Sequence, residues 1–367
     1  MKNIRLMRPY VSFKEIKKDF SKIFESGIFT RGKFLENFRN DVKKFLKVKN
    51  VFLMTSATTS LSMCLKLLKI GKGDEVIISD FSWPATANVV EDLGAKPVFA
   101  DVSLETFNML PEELEKKITK KTKAVIFVDS LGNPSGISKI KSICKNNNIP
   151  LIEDAACAIG SSVNKIKCGA ISDLTCFSFH PRKLICCGEG GAITTNNYKW
   201  GETLKVKLSH GAKGFKGIIL DFIDYGYNYR FTELQSVMGR QQLKKINSII
   251  NSRNKIRLRY IKKLCSKNFI PQKIDKNVHF NNQTIALRMK NNKLRDRLIK
   301  FLKRNNIETT IGYYSLSNTT YYKKKYSAQQ RNSKILQDTT ISLPCYDELK
   351  VEKVVQKINF FININDK

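Results

Sequence analysis

Between residues 50 and 245, short apolar runs alternate with stretches of helical periodicity, and this alternation restricts the chain to few architectures. Strand-like runs fall at 51–54, 75–78, 97–100, 124–128, 151–152, 174–179 and 192–195. The helix predicted at 58–68 places Leu61, Cys64, Leu65 and Leu68 on one face by their three- and four-residue spacing. Pro84 opens another helix, which stops at Gly94. Strands and helices in turn predict an α/β fold with a mostly parallel sheet covered on both faces. A further helix is expected around 232–246. Beyond about residue 250 the chain becomes rich in Lys and Asn, with a strand at 284–287 and helices near 292–304 and 351–361. The expected division is a large domain over 1–248, including an N-terminal arm, and a small C-terminal α+β domain over 249–367.

Composition narrows the function classes. The 65 Lys and Arg against 32 Asp and Glu give a net charge of +33. The basic residues are spread along the chain, and no helix-turn-helix, RRM or zinc-finger pattern accompanies them, so no specific nucleic-acid partner is expected. Such a surface still attracts an anionic substrate. The nine cysteines never adopt CxxC spacing, and three histidines offer no zinc-site pattern, so no metal is expected. The longest apolar runs, such as 124–128, are far too short to span a bilayer. With no apolar segment near the N-terminus, the expectation is a cytoplasmic protein with reduced thiols and no membrane partner.

The chemistry concentrates in one stretch. Lys183 lies between the strand-like Phe177-Ser178-Phe179 and the corner Gly188-Glu189-Gly190-Gly191. About 30 residues upstream, Asp154 ends a hydrophobic strand, and ligands of open α/β sheets sit at the carboxyl ends of strands. A lysine able to form a Schiff base and an acid placed to meet a pyridinium nitrogen are what pyridoxal phosphate requires of a protein. The run Thr55-Ser56-Ala57-Thr58-Thr59-Ser60 joins a strand to a helix and offers free N–H groups and hydroxyls to a phosphate, with Ser178 a second hydroxyl source. Trp83, after Asp80-Phe81-Ser82, is able to stack on a flat ring. Each residue also has a plainer role open to it. Lys183 can be a solvated surface lysine, Asp154 a helix N-cap, the hydroxyl run ordinary capping, and Trp83 a core residue.

The chain resembles the DegT/DnrJ/EryC1/StrS family of sugar aminotransferases, of aspartate-aminotransferase fold type I. The resemblance rests on 71–76, on 94–102, on Glu153-Asp154-Ala155-Ala156 and on the lysine stretch with Gly-Glu-Gly-Gly. It continues in Ser209-His210-Gly211, Gly226-Tyr227-Asn228-Tyr229-Arg230 and Ile341-Ser342-Leu343-Pro344. It implies that Lys183 carries the cofactor and shuttles the proton, and that Asp154 pairs with the pyridine nitrogen. Trp83 stacks on the ring, and Ala57, Thr58 and Ser178 hold the phosphate. Asn228 reaches the phosphate of a neighbouring subunit in a homodimer, while Arg230, Tyr313, Tyr314 and Thr30 contact substrate. Three positions depart from the family pattern. Cys157 stands where glutamine or histidine usually meets the cofactor's phenolic oxygen, Ala57 replaces a usual glycine, and Leu184 replaces a common asparagine. Relatives with histidine in place of the lysine are dehydratases, and Lys183 points instead to transamination. The implied substrates are glutamate and a nucleotide-linked 4-keto-6-deoxy sugar, giving a perosamine- or viosamine-like product. A 3-keto sugar or a keto-inositol is the nearest rival. A catalytically silent scaffold or a charge-driven nucleic-acid binder on the same fold are the alternatives of another class.

Overall fold

A computed structural model describes residues 3–264 and 268–365. The apolar runs of the first half pair into one seven-stranded sheet. Its order is Asn50–Met54, Gly191–Thr195, Leu174–Ser178, Leu151–Asp154, Thr122–Val128, Glu75–Ser79, Lys96–Ala100. Gly191–Thr195 runs antiparallel to both its neighbours. The remaining pairings are parallel.

Strand periodicity divides the core in two. Ile77, Val125 and Phe127 pack on one face with Phe38, Val42 and Leu46 of the helix Lys33–Leu46. Val76, Ile78, Ala124 and Ile126 pack on the other with Leu61, Cys64 and Leu65 of the helix Ala57–Leu67. Successive side chains point to opposite faces, so a sheet covered on both sides reads as a continuous apolar run. A third cluster surrounds a smaller antiparallel sheet of Phe269–Pro271, Ile285–Met289 and Thr340–Leu343, flanked by the helices Asn292–Arg304 and Val351–Asn365. The helix Ile246–Leu264 joins two of these cores. Its Ile246, Ile249 and Ile250 belong to the first, its Ile256, Tyr260 and Leu264 to the third.

Several local expectations shift. The helix expected at 58–68 spans Ala57–Leu67, because Ser56 takes the N-cap: its side chain accepts from the Thr59 N–H while the Thr59 side chain accepts from the Ser56 N–H. The helix expected around 232–246 is two helices, Glu233–Leu243 and Ile246–Leu264. The N-terminal arm contains two amphipathic helices, Phe13–Ser26 and Lys33–Leu46. The second begins at Gly32, which has no side chain to cap it. The buried carboxylate of Glu233 does so instead, accepting from the N–H groups of Gly32 (2.9 Å), Phe34 (2.8 Å) and Leu35 (3.1 Å).

One row of the sheet sets the geometry of everything at its upper edge. Gly191 lies in register with Met54 on one side and Ser178 on the other. A Cβ on Gly191 would stand 2.4 Å from the Ser56 carbonyl carbon, 2.5 Å from its oxygen and 2.7 Å from the Ala57 nitrogen. Only glycine lets the start of the helix Ala57–Leu67 come this close. Gly191→Ala is therefore expected to lower the unfolding free energy by about 1–3 kcal/mol, read from denaturant midpoints. An unchanged midpoint would show that the Ser56–Ala57 turn moves freely.

Candidate active site

The carboxyl ends of four strands bring the sequence-predicted residues to one edge. Thr55 follows Asn50–Met54, Trp83 follows Glu75–Ser79 and the short strand Phe81–Ser82, and Asp154 and Ser178 close their own strands. The Lys183 loop is held by its backbone. The Lys183 N–H donates to the His180 carbonyl (2.8 Å), Phe179 to Gly190 (2.8 Å) and Cys187 to Phe179 (2.8 Å). Gln242 pins the loop from beneath, accepting from the Cys186 N–H (3.0 Å) and donating to the Cys186 carbonyl (2.7 Å).

Lys183 is half-buried, and its Nζ donates to the Cys157 sulfur at 2.9 Å. The same sulfur lies 2.9 Å from the Tyr313 hydroxyl. Asp154 is buried. Its Oδ2 accepts from the Thr86 hydroxyl (3.0 Å), which pairs with Ser82 Oγ (2.8 Å), and its Oδ1 accepts from the Ala156 N–H (3.2 Å). Burial pushes the Asp154 carboxyl up, against the hydrogen bonds from Ala156 and Thr86 and the charge of Lys183, which favour the ionised form. No helix starts after Asp154, so it is not an N-cap. Trp83 is 56% exposed and rests edge-to-face on Tyr314 with ring centroids 5.7 Å apart, which excludes the core role. Ala57 and Thr58 are the first two residues of their helix, with Thr58 exposed. Ala57 does not take a positive φ, so alanine there carries no backbone strain. Ser178 is buried, and its hydroxyl accepts from the His180 N–H (3.3 Å).

The other predicted residues lie around this group. Tyr313 and Tyr314 are brought over from the C-terminal third, where Tyr314–Ser315 pairs antiparallel with Phe81–Ser82. Arg230 has a buried Nε with no hydrogen-bond partner, an orphaned charged donor that calls for an anion. Thr30 is exposed and bridges Thr232. Asn228 is exposed, so its chain alone does not enclose it. These residues fit pyridoxal phosphate: an amine, a buried carboxyl at a strand end, an open helix N-terminus, an exposed aromatic face and an unpaired guanidinium nitrogen.

Three supporting features were not legible beforehand. Asp80 is fully buried and accepts from Ser315 Oγ (2.8 Å), the Ser317 N–H (2.7 Å), Ser317 Oγ (3.0 Å) and Ser333 Oγ, fixing the segment that follows the two tyrosines. Gln283 donates to the Arg182 carbonyl (2.7 Å) beside Lys183, and the buried Arg253 holds that segment by donating to the carbonyls of Asn282, Gln283 and Cys345. On the opposite face of the sheet from Asp154, ligand atoms of Asp129, Glu153 and Cys168 lie within 4.8 Å of one another. Glu153 Oε2 accepts from Gly169, Ser172 and Thr175, while Glu153 Oε1 and both Asp129 oxygens have no donor. Burial and the Glu153 charge hold the Asp129 carboxyl well above the usual carboxylate range. Such clusters join distant residues and leave no local signature.

The DegT/DnrJ/EryC1/StrS aminotransferase family profile matches residues 12–359. The chain is 33% identical to a GDP-perosamine synthase of Vibrio cholerae over 81% of this chain and 82% of that protein. It is 30% identical to a GDP-perosamine synthase of Escherichia coli O157:H7 over 98% and 99%. Spr1654 of Streptococcus pneumoniae, solved in a PMP form, superposes with a TM-score of 0.93 over all of both chains at 23% identity, and so shares the fold.

Asp80 makes the tyrosine wall pH-sensitive. Burial lifts its carboxyl from 3.8 to about 6, outweighing the serine hydrogen bonds. The folded state then binds the proton more tightly than the unfolded chain, so the Asp80 contribution is greatest at low pH and is lost as pH rises from about 4 to about 6. The stability of the protein minus that of Asp80→Asn is expected to fall across this window and stay level above it. A difference that is flat with pH in chemical denaturation would refute the assignment.

Proposed function

The chain belongs to the DegT/DnrJ/EryC1/StrS aminotransferase family and is a pyridoxal-phosphate-dependent transaminase, and on that premise we propose that it moves an amino group from glutamate to the keto carbon of a nucleotide-linked 4-keto-6-deoxy sugar. The observation that carries this reading is the placement of Lys183 and the buried Asp154 carboxyl at one edge of the sheet, where the Lys183 charge favours the ionised form of Asp154. When bound, pyridoxal phosphate supplies a carbonyl that accepts the amine and a ring that takes up the electron pair of a breaking C–H bond. Lys183 is the amine that anchors it, and its Nζ holds and delivers the proton at the sugar carbon. Asp154 would pair with the pyridine nitrogen, whose positive charge would favour the ionised carboxylate against burial. The N–H groups of Ala57 and Thr58 and the Ser178 hydroxyl take the phosphate. Trp83 covers the ring, and Cys157 lies beside Lys183 where the phenolic oxygen belongs. Arg230, Tyr313, Tyr314 and Thr30 face the substrate.

Position 4 is favoured by Gly188-Glu189-Gly190-Gly191, which lacks the extra preceding residue of members that act at position 3. The two GDP-perosamine synthases among the relatives support a nucleotide-linked amino sugar. The +33 charge favours encounter with such an anion.

The active site is shared between two copies of the chain. The hairpin Ala212–Lys216 and Ile219–Phe222 leaves Phe215 70%, Ile218 96% and Phe222 60% exposed, an apolar tip that water alone does not stabilise. It leads directly to Asn228 and Arg230, so a second copy that covers the hairpin also receives Asn228 at its phosphate.

Incubation with glutamate, the cofactor and a panel of nucleotide-linked keto sugars is expected to give an amino sugar, detected by mass, from the 4-keto-6-deoxy substrates. Lys183→Ala should lower the rate by at least about 1,000-fold. Turnover of 3-keto sugars or keto-inositol alone would overturn the choice of position. Sedimentation is expected to show a dimer, and Ile218→Ser combined with Phe215→Ser to shift it toward monomer with loss of activity. A variant that is monomeric yet fully active would refute the shared site.

A further inference from the structure

The contact between Lys183 and Cys157 carries a second consequence. The amine nitrogen and the sulfur are 2.9 Å apart, and the Tyr313 hydroxyl is 2.9 Å from the same sulfur. Cys157 retains 6% exposure and sits in the first turn beyond the strand Leu151–Asp154, between the half-buried Ala156 and the site itself. Cys64 and Cys176, whose sulfur atoms are 3.5 Å apart, are fully enclosed in the core. The Lys183–Cys157 pair thus joins a sulfur to a primary amine at the open edge of the sheet.

We propose that Cys157 is an oxidation site whose sulfenic acid is captured by Lys183 as a reversible sulfur–nitrogen cross-link. The oxidant is a peroxide. In the first step the Cys157 thiol reduces hydrogen peroxide: an S–O bond forms, the O–O bond breaks, and one water leaves. In the second, the lone pair of Lys183 Nζ attacks the sulfur. The S–N bond forms, the S–O bond breaks, and the hydroxyl departs as a second water with a proton from the nitrogen. The protein loses two hydrogens, and one peroxide becomes two waters. The Tyr313 hydroxyl is placed to hydrogen-bond the sulfenic oxygen before it leaves. A dithiol reverses the link, returning thiol and amine and becoming a disulfide. Capture also protects the sulfur from the irreversible sulfinic state. The chemistry requires only the observed neighbours, and its effect on activity rests on the proposed role of Lys183. An enzyme whose amine is joined to its own thiol cannot take up its cofactor, whereas a cofactor already held on Lys183 withholds the amine from the sulfur.

The test uses the full chain, with and without pyridoxal phosphate, treated with hydrogen peroxide and digested without reductant. The expected product in the cofactor-free protein is a Cys157–Lys183 cross-linked peptide about 2 Da below the summed masses of its parts. Dithiothreitol should remove it, and it should be absent from the cofactor-loaded protein and from Cys157→Ser. In parallel, pyridoxal phosphate with borohydride should label Lys183 before oxidation, lose most of that label after it, and regain it with dithiothreitol. In Cys157→Ser, whatever label forms should be the same before and after oxidation. Oxygen adducts of about 16 or 32 Da on Cys157 with no cross-link would overturn the proposal. Label on a different lysine in untreated protein would instead overturn the role given to Lys183 and leave the cross-link result standing.

Discussion

The site depends on the row of the central sheet in which Met54, Gly191 and Ser178 lie side by side. Backbone hydrogen bonds fix that register, and a slip of one residue would turn every side chain of the strand to the other face. From this row leave the two segments the chemistry needs, the Thr55–Ser60 run on one side and the Lys183 loop on the other. The absence of a side chain at Gly191 lets the Ser56–Ala57 turn settle onto the strand. The parallel pairing of Leu151–Asp154 with Leu174–Ser178 then brings the Asp154 carboxyl to the same edge.

A second set of interactions closes the site with residues from far along the chain. Asp80 gathers three serine hydroxyls and a backbone N–H from beyond residue 314. Gln283, held by Arg253, reaches the backbone next to Lys183. Fully buried polar groups of this kind are costly unless satisfied, and the Asp80 carboxylate and the Arg253 guanidinium are satisfied by partners from other parts of the fold. They set the position of Tyr313, whose hydroxyl meets the sulfur that Lys183 also meets. Two buried carboxyls, Asp154 and Asp129, are both pushed up by burial, yet they face opposite sides of the sheet and have different partners. One pairs with hydroxyl and backbone donors at the open edge. The other lies beside Glu153 and Cys168 in the core.

Lys183, Asp154 and the hydroxyl run were legible because each sits where a strand ends, and strand ends are marked by local apolar periodicity. The two N-terminal helices were open to the same reading: both are strongly amphipathic, and Ile16 and Ile23 of the first pack on Val237. Trp83 was ambiguous between core and surface, because its exposure depends on Tyr314, more than two hundred residues away in the chain. Separation along the chain also hid the contact of Cys157 with Tyr313, 156 residues apart.

The sequence by itself determined the α/β alternation, the lysine and the aspartate that suit pyridoxal phosphate, and the absence of a zinc-like spacing of ligands, because these follow from neighbouring residues and the two periods of secondary structure. The tertiary structure decided which thiol meets the amine, which carboxyls are buried, which aromatic faces solvent and which glycine must remain bare. Those outcomes depend on burial and on contacts between distant segments, which exist only once the two sheets and the helix between them have packed.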